Sequence, residues 1–255
     1  MRAEIHIGTS GYHYKHWRGP FYPERFSPAR MLSFYSERFQ TVELNTTFYR
    51  LPSKKAVEEW AASTPNHFLL AAKGSRFITH MKKLKDPEIA LDRYFDHLTP
   101  LGRKLGPIVF QLPPFWECNF DRLDYFLKAL PPRRRYAFEF RNATWHTAPV
   151  YRLLEKFNAA FCPWDLAGCQ SPVTLTADWT YVRLHGPGPG KYQGSYSSSA
   201  LDGWARRIET WARELKAVFI YFDNDSQGLA VHDALALRRI VTEADYPEQV
   251  TRRAG

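Results

Sequence analysis

Cysteine is scarce in this chain. Cys118, Cys162 and Cys169 form an odd set without CxxC spacing, which argues against a disulfide scaffold or a zinc ribbon and points to a reducing cytoplasm. Cys162 lies in the apolar run AAFCPW and reads as a small buried hydrophobe. There is no run of ~18 apolar residues and no apolar signal core in MRAEIHIG, so the expectation is a cytoplasmic protein without a membrane partner. No HxH or HExxH pair marks a metal centre, and neither a Walker pattern nor a GxGxxG before a helix occurs. Repeats, low-complexity tracts and interdomain linkers are also missing.

What is present fits one large domain. The 255 residues, 44% of them apolar, match the ~250 residues of an α/β barrel. Aromatics reach 16%, and the formal net charge is +9, which favours anionic partners through steering.

Eight strand candidates lie at 5–9, 41–44, 68–73, 108–112, 136–141, 159–164, 180–185 and 218–223, and those at 41–44, 68–73, 108–112, 136–141, 180–185 and 218–223 finish in alternating polar residues. Helical patterns separate them at 28–38, 54–62, 87–105 with a break near Pro100, 120–130, 149–157, 199–215 and 227–241. Ser27 and Ser53 precede two of these as N-caps. Strand–helix alternation predicts parallel strands joined by right-handed crossovers. The expected fold is a single α/β domain over 1–255, a TIM-type (β/α)8 barrel, irregular at the sixth unit because 165–178 leaves little room for a helix.

Side chains two apart on a strand share a face, so Glu43 with Asn45, Glu139 with Arg141, and Arg183 with His185 point together. At the carboxyl ends of barrel strands this is where an active site is displayed. Glu43 and Glu139 are the candidate bases, nucleophiles or metal ligands, with Lys73, Arg141, Arg183 and His185 as counter-charges that keep them ionised. Gln111 and Asp165 lie at neighbouring strand ends. One divalent ion held by Glu43, Glu139, Asp165 and His185 is a further expectation. The loop HGPGPGKYQGSY carries Lys191 and glycines suited to an anion or to a lid. Ser10 has no identifiable triad partner. A basic loop with Lys82, Lys83 and Lys85, beside loop aromatics, suits nucleic acid or sugar rings.

The segments GTSGYHYKHWRGPFYP, VELNTTFYRLP, KGSRFITHMKKL, GPIVFQLPPFW, FEFRNATW, VRLHG and YFDNDSQGLAVHDAL resemble the YecE-like family, domain-of-unknown-function family 72, in order and over nearly the whole chain. The resemblance implies a TIM-type barrel and a site, without naming a reaction. It carries over Trp17, Glu43, Asn45, Tyr49, Lys73, Thr79, His80, Gln111, Glu139, Arg141, Trp145, Arg183, His185, Tyr192 and Asn224. Against the family pattern Tyr12 stands where Trp is usual, Asp223 and His232 where Asn is usual, and Pro187 where Arg is frequent.

The leading expectation is an enzyme, hydrolase-like (a phosphodiesterase or nuclease), acting on a phosphate-containing or nucleic-acid-like substrate at the mouth. Glu43, Glu139, His185 and Lys73 would be catalytic. Trp17, Asn45, Tyr49, His80, Gln111, Arg141, Trp145, Arg183, Lys191, Tyr192 and Asn224 would bind substrate. The alternatives are a non-catalytic module for nucleic acid or an anionic metabolite, and a carbohydrate-active enzyme.

Overall fold

Period-two runs in this sequence become strands, and the segments between most of them become amphipathic helices. The computed structural model describes residues 2–245, with side chains through Glu243; Met1 and 246–255 of the expected domain lie outside the described residues. In chain order the strands are β1 (Glu4–Thr9), β2 (Thr41–Leu44), β3 (Leu69–Lys73), β4 (Leu105–Gln111), β5 (Tyr136–Glu139), β6 (Ala160–Phe161), β7 (Trp164–Leu166), β8 (Cys169–Gln170), β9 (Trp179–Leu184) and β10 (Ala217–Phe222). The helices are α1 (Met31–Ser36), α2 (Thr46–Tyr49), α3 (Lys54–Ala62), α4 (Glu88–Leu98), α5 (Phe120–Ala129), α6 (Ala148–Lys156), α7 (Ser198–Glu214) and α8 (Leu229–Asp245).

The strands form two five-stranded sheets, ordered β1-β10-β9-β7-β8 and β2-β3-β4-β5-β6. All pairings are parallel except the β7–β8 hairpin, so the expected α/β architecture of parallel strands is present. The sheets meet twice. The Gly11 amide donates to Glu43 O at 2.8 Å, next to a Ser10–Glu43 bridge. On the other side Cys162 N donates to Phe138 O at 2.9 Å, while Arg183 N donates to Pro163 O at 3.0 Å.

The expected sixth strand is therefore two pieces, β6 and β7, with Cys162-Pro163 between them. Proline has no N–H to give a ladder, so pairing passes there from β5 to β9. The segment after it folds back as β7–β8 through Ala167 and Gly168, both at positive φ, and no helix follows.

Two apolar clusters divide the interior. One packs the outer strand faces against the helices; the other, including Ala71, Val109, Ala137, Cys162, Tyr181, Phe219 and Tyr221, fills the inner faces. Alternation along β9 sends Trp179, Tyr181 and Arg183 inward, and along β2 it sends Thr41 and Glu43 inward. The same inner faces thus run from apolar residues at the amino ends to charged ones at the carboxyl ends.

Local signals were largely sufficient for the helices. Ser53 Oγ accepts from Ala56 N at 3.2 Å and caps α3. Ser27 makes no such bond; Pro28 opens a short 3-10 turn before α1 instead. The long 87–105 pattern ends as a helix at Leu98 and continues as a 3-10 segment, Thr99–Lys104, kinked at Gly102.

Candidate functional site

Four strand ends deliver one buried ionic cluster. Glu43, Glu139, Arg183 and His185 are each 0% exposed. The Glu43 carboxylate receives Arg183 Nη2 at 2.7 Å and Nε at 2.9 Å, Tyr181 OH at 2.6 Å and Ser10 Oγ at 2.5 Å. Arg183 Nη1 donates to Glu139 Oε2 at 2.7 Å and Nη2 to Asp223 Oδ2 at 2.9 Å. Arg141 binds the other Glu139 oxygen through Nε and stacks over the Trp164 ring at 4.7 Å.

Arg141 Nη2 also donates to His185 Nε2 at 2.7 Å. A guanidinium can only donate, so Nε2 accepts, and Nδ1 carries the hydrogen given to Asp223 Oδ2 at 3.0 Å. Burial pushes the Glu139 carboxyl up, but Arg141 and Arg183 reverse this and hold it well below the usual carboxylate range. Asp223 is likewise lowered against burial, by Arg183 and the His185 hydrogen bond.

Lys73 differs from the rest. It is 8% exposed, and its Nζ, 4.4 Å from the Phe48 ring centroid, makes no hydrogen bond or ion pair among the described residues. Burial first, and the Arg183 charge second, pull its pKa down to about 8. Its carbonyl is fixed by Thr47 Oγ1 at 2.7 Å and Tyr94 OH at 3.1 Å.

Lys73 opens on a cavity of 660 Å³ that also exposes Asp223, Asp225, Asn45, Arg50 and Tyr192. Tyr12, Tyr14, Tyr49 and Trp60 give it aromatic walls. Neither Glu43 nor Glu139 is on this lining. The buried Asn45 Oδ1 has no hydrogen-bond partner.

The pattern of the family described as "Protein of unknown function DUF72" matches residues 6–253. The chain belongs to this family. It is 28% identical to UPF0759 protein YunF of Bacillus subtilis, over 88% of this chain and 90% of that protein. A DUF72 family protein from Thermotoga maritima shares the fold at a TM-score of 0.86 and 26% identity, covering 94% of this chain and all of that one. The GH5_18 protein of Bifidobacterium longum is similar in fold alone, with a TM-score of 0.55, 10% identity, and coverage of 96% of this chain and 79% of that one.

Other residues that the DUF72 pattern marks take different positions. Trp17 and Trp145 are fully buried, donating Nε1 to Asp225 O and Trp116 O, both at 2.8 Å; they are braces inside the loops, off the cavity lining. Asn224 spends its amide on Gly194 O at 2.8 Å and Asp233 Oδ2 at 2.7 Å. His80 hydrogen-bonds Thr79 through Nδ1 at 2.9 Å, and burial with the Lys73 and Arg76 charges lowers it to about 4. Gln111 ends β4 in register with Glu139. Lys191 is exposed. Tyr192, at φ +64°, sets its ring 5.7 Å from His185.

The expected metal-ligand set is not assembled. Among the described residues no group of three or more His, Cys, Asp or Glu is arranged to hold an ion. Guanidinium and hydroxyl donors already occupy the Glu43 and Glu139 oxygens, and Asp165 Oδ2 takes Gln170 Nε2 at 2.8 Å. Two amides of the glycine loop are already engaged within it. Gly186 N donates to Tyr196 OH at 3.0 Å and Gly188 N to Gln193 O at 2.9 Å.

Asp223, Tyr181, Tyr14 and Asp233 are participants that the strand-end reading passed over. Asp223 was detectable, being two residues beyond the inward Tyr221. No helix among the described residues is long and apolar enough to cross a membrane.

Proposed function

We propose that this DUF72 protein is a cytoplasmic enzyme acting on a phosphate-containing or nucleic-acid-like substrate at the mouth of a TIM-type barrel. In this reading the two sheets are arcs of one eight-unit wall, which the hydrogen bonds at both seams support. The observation that carries the function is Lys73, a buried cation with no ion pair among the described residues, on a cavity of 660 Å³. A buried charge lacking its counter-ion costs several kcal/mol, and an anionic substrate would supply one.

Lys73 and Arg50 then attract and hold negative charge. Asp223 at the cavity edge and the buried His185 hydrogen-bonded behind it are the proton-handling pair. Glu43 and Glu139 act through the two guanidiniums they orient, as positioning residues. Asn45, Tyr49 and Tyr192 contact the substrate. The test is turnover of phosphomonoester, phosphodiester and single-stranded DNA panels by wild type, Lys73→Ala and Asp223→Asn. Equal rates for all three proteins on a substrate that is turned over would sink the reading.

A second reading, a nucleic-acid binding module without turnover, has one supporting feature. Lys83 lies 5.4 Å from the exposed Phe115 ring, in the basic loop near exposed Phe77 and Met81. It requires that neutralising Lys82, Lys83 and Lys85 weaken oligonucleotide binding and flatten its salt dependence.

A further inference from the structure

The same lysine has a chemistry beyond charge. We infer that Lys73 is a nucleophile that forms an imine with the aldehyde or ketone group of a phosphate-bearing substrate. The inference rests on the mouth being an anionic-substrate site and names the reactive group that substrate would carry.

Imine formation requires an amine with a free lone pair, held still and facing a space that admits a carbonyl compound. Lys73 Nζ meets each condition. Among the described residues no carboxylate or carbonyl engages it, and it sits over the Phe48 ring face. Thr47 and Tyr94 clamp its carbonyl from two sides, so the base of the side chain is fixed. The lowered pKa of about 8 leaves about a tenth of the amine neutral at pH 7, against well under a hundredth for an ordinary lysine.

The cavity also holds partners for the intermediate. As the Nζ lone pair bonds the carbonyl carbon, the π pair moves to oxygen. The proton shed by nitrogen passes to that oxygen, relayed by the Asp223 carboxylate on the same lining, giving a neutral carbinolamine. A second proton, delivered through the same carboxylate, lets the hydroxyl leave as water. The nitrogen lone pair closes the C=N bond, for a net change of amine, carbonyl and one proton taken up from solvent to protonated imine plus water. Asn45 Oδ1, buried and lacking a donor, suits the carbinolamine hydroxyl or a neighbouring substrate hydroxyl.

Three matched probes separate this step from anion binding: glycolaldehyde phosphate, glycolaldehyde without phosphate, and hydroxyethyl phosphate without carbonyl. Wild-type protein is incubated with each aldehyde and borohydride at pH 7, and modified lysines are mapped by peptide mass spectrometry. Glycolaldehyde phosphate is expected to label Lys73 at least ~10-fold faster than any exposed lysine, with hydroxyethyl phosphate protecting it. Lys73→Arg, with a melting transition confirming its fold, should lose this label and no other; Lys73→Met serves if the arginine does not fit.

Binding of hydroxyethyl phosphate by calorimetry with no preferential label at Lys73 would overturn the imine and leave the anion site standing. Equal labelling by both aldehydes, without protection, would keep the imine and remove the phosphate from its substrate. Failure of both labelling and binding would overturn both readings.

Discussion

Arg183 grips Glu43 with two nitrogens, Nη2 at 2.7 Å and Nε at 2.9 Å from opposite carboxylate oxygens, and neither residue is exposed to solvent. The remaining Arg183 nitrogen reaches Glu139, and Nη2 is shared with Asp223. One guanidinium therefore ties together the carboxyl ends of β2, β5 and β10. Removing it would leave three buried carboxylates short of a counter-charge. Arg183→Met is expected to lower unfolding free energy by about 3–5 kcal/mol, read by urea titration at neutral pH. The double variant Arg183→Met with Glu43→Gln should recover part of that loss.

Lys73 has the opposite sign of effect. Its pKa of about 8 in the folded chain, against an ordinary value of 10.5, means the unfolded chain binds the proton more tightly. The cost to folding is fully present below about pH 8 and fades as the pH rises toward 10.5. Lys73→Met should therefore stabilise the protein by about 3 kcal/mol at pH 7 while abolishing turnover. That gain should shrink steadily across the alkaline window, as followed by denaturant midpoints.

Asp223 and Glu139 set the acid limit. Both are lowered in the folded state, chiefly by guanidiniums overriding burial. The stability they contribute is complete above the ordinary carboxylate range and is lost as pH falls through their folded values. Asp223→Asn, which restores the residue usual in the family pattern, should fold and should flatten the acid limb of a stability-against-pH curve. A curve as steep as wild type would contradict the pairing.

One carboxylate anchors the end of the loop over the cavity. Asp233 accepts from Ser195 Oγ at 2.6 Å, Tyr196 N at 3.1 Å and Asn224 Nδ2 at 2.7 Å. Asp233→Ala should speed amide exchange at 187–195 and open that stretch to proteolysis. Substrate KM should rise more than kcat falls, since Tyr192 loses its place beside His185.

The strand-end residues were readable because a period of two fixes direction without any knowledge of the partner strand. Glu43, Glu139, Arg183 and His185 meet for that reason. What periodicity does not encode is depth. It cannot say that Tyr181, one layer below, would engage Glu43, or that the glutamates would be covered while Lys73 remained on the cavity. Loop aromatics have no period at all. Trp17 and Trp145 became braces because their indole N–H groups found backbone carbonyls, a tertiary outcome. The pattern predicts a sixth strand running unbroken through 159–164; Pro163 is the residue that could have marked its break, but nothing local says that the chain would resume against β9 and turn back as a hairpin.

That break makes 160–166 a bridge between the two sheets. Its first half is bonded to the strand bearing Glu139, and its second half to the strand bearing Arg183. A ligand or mutation that tugged the β7–β8 tip would thus strain the Glu139–Arg183 contact from the side, and the mouth would feel events at the far end of a surface hairpin.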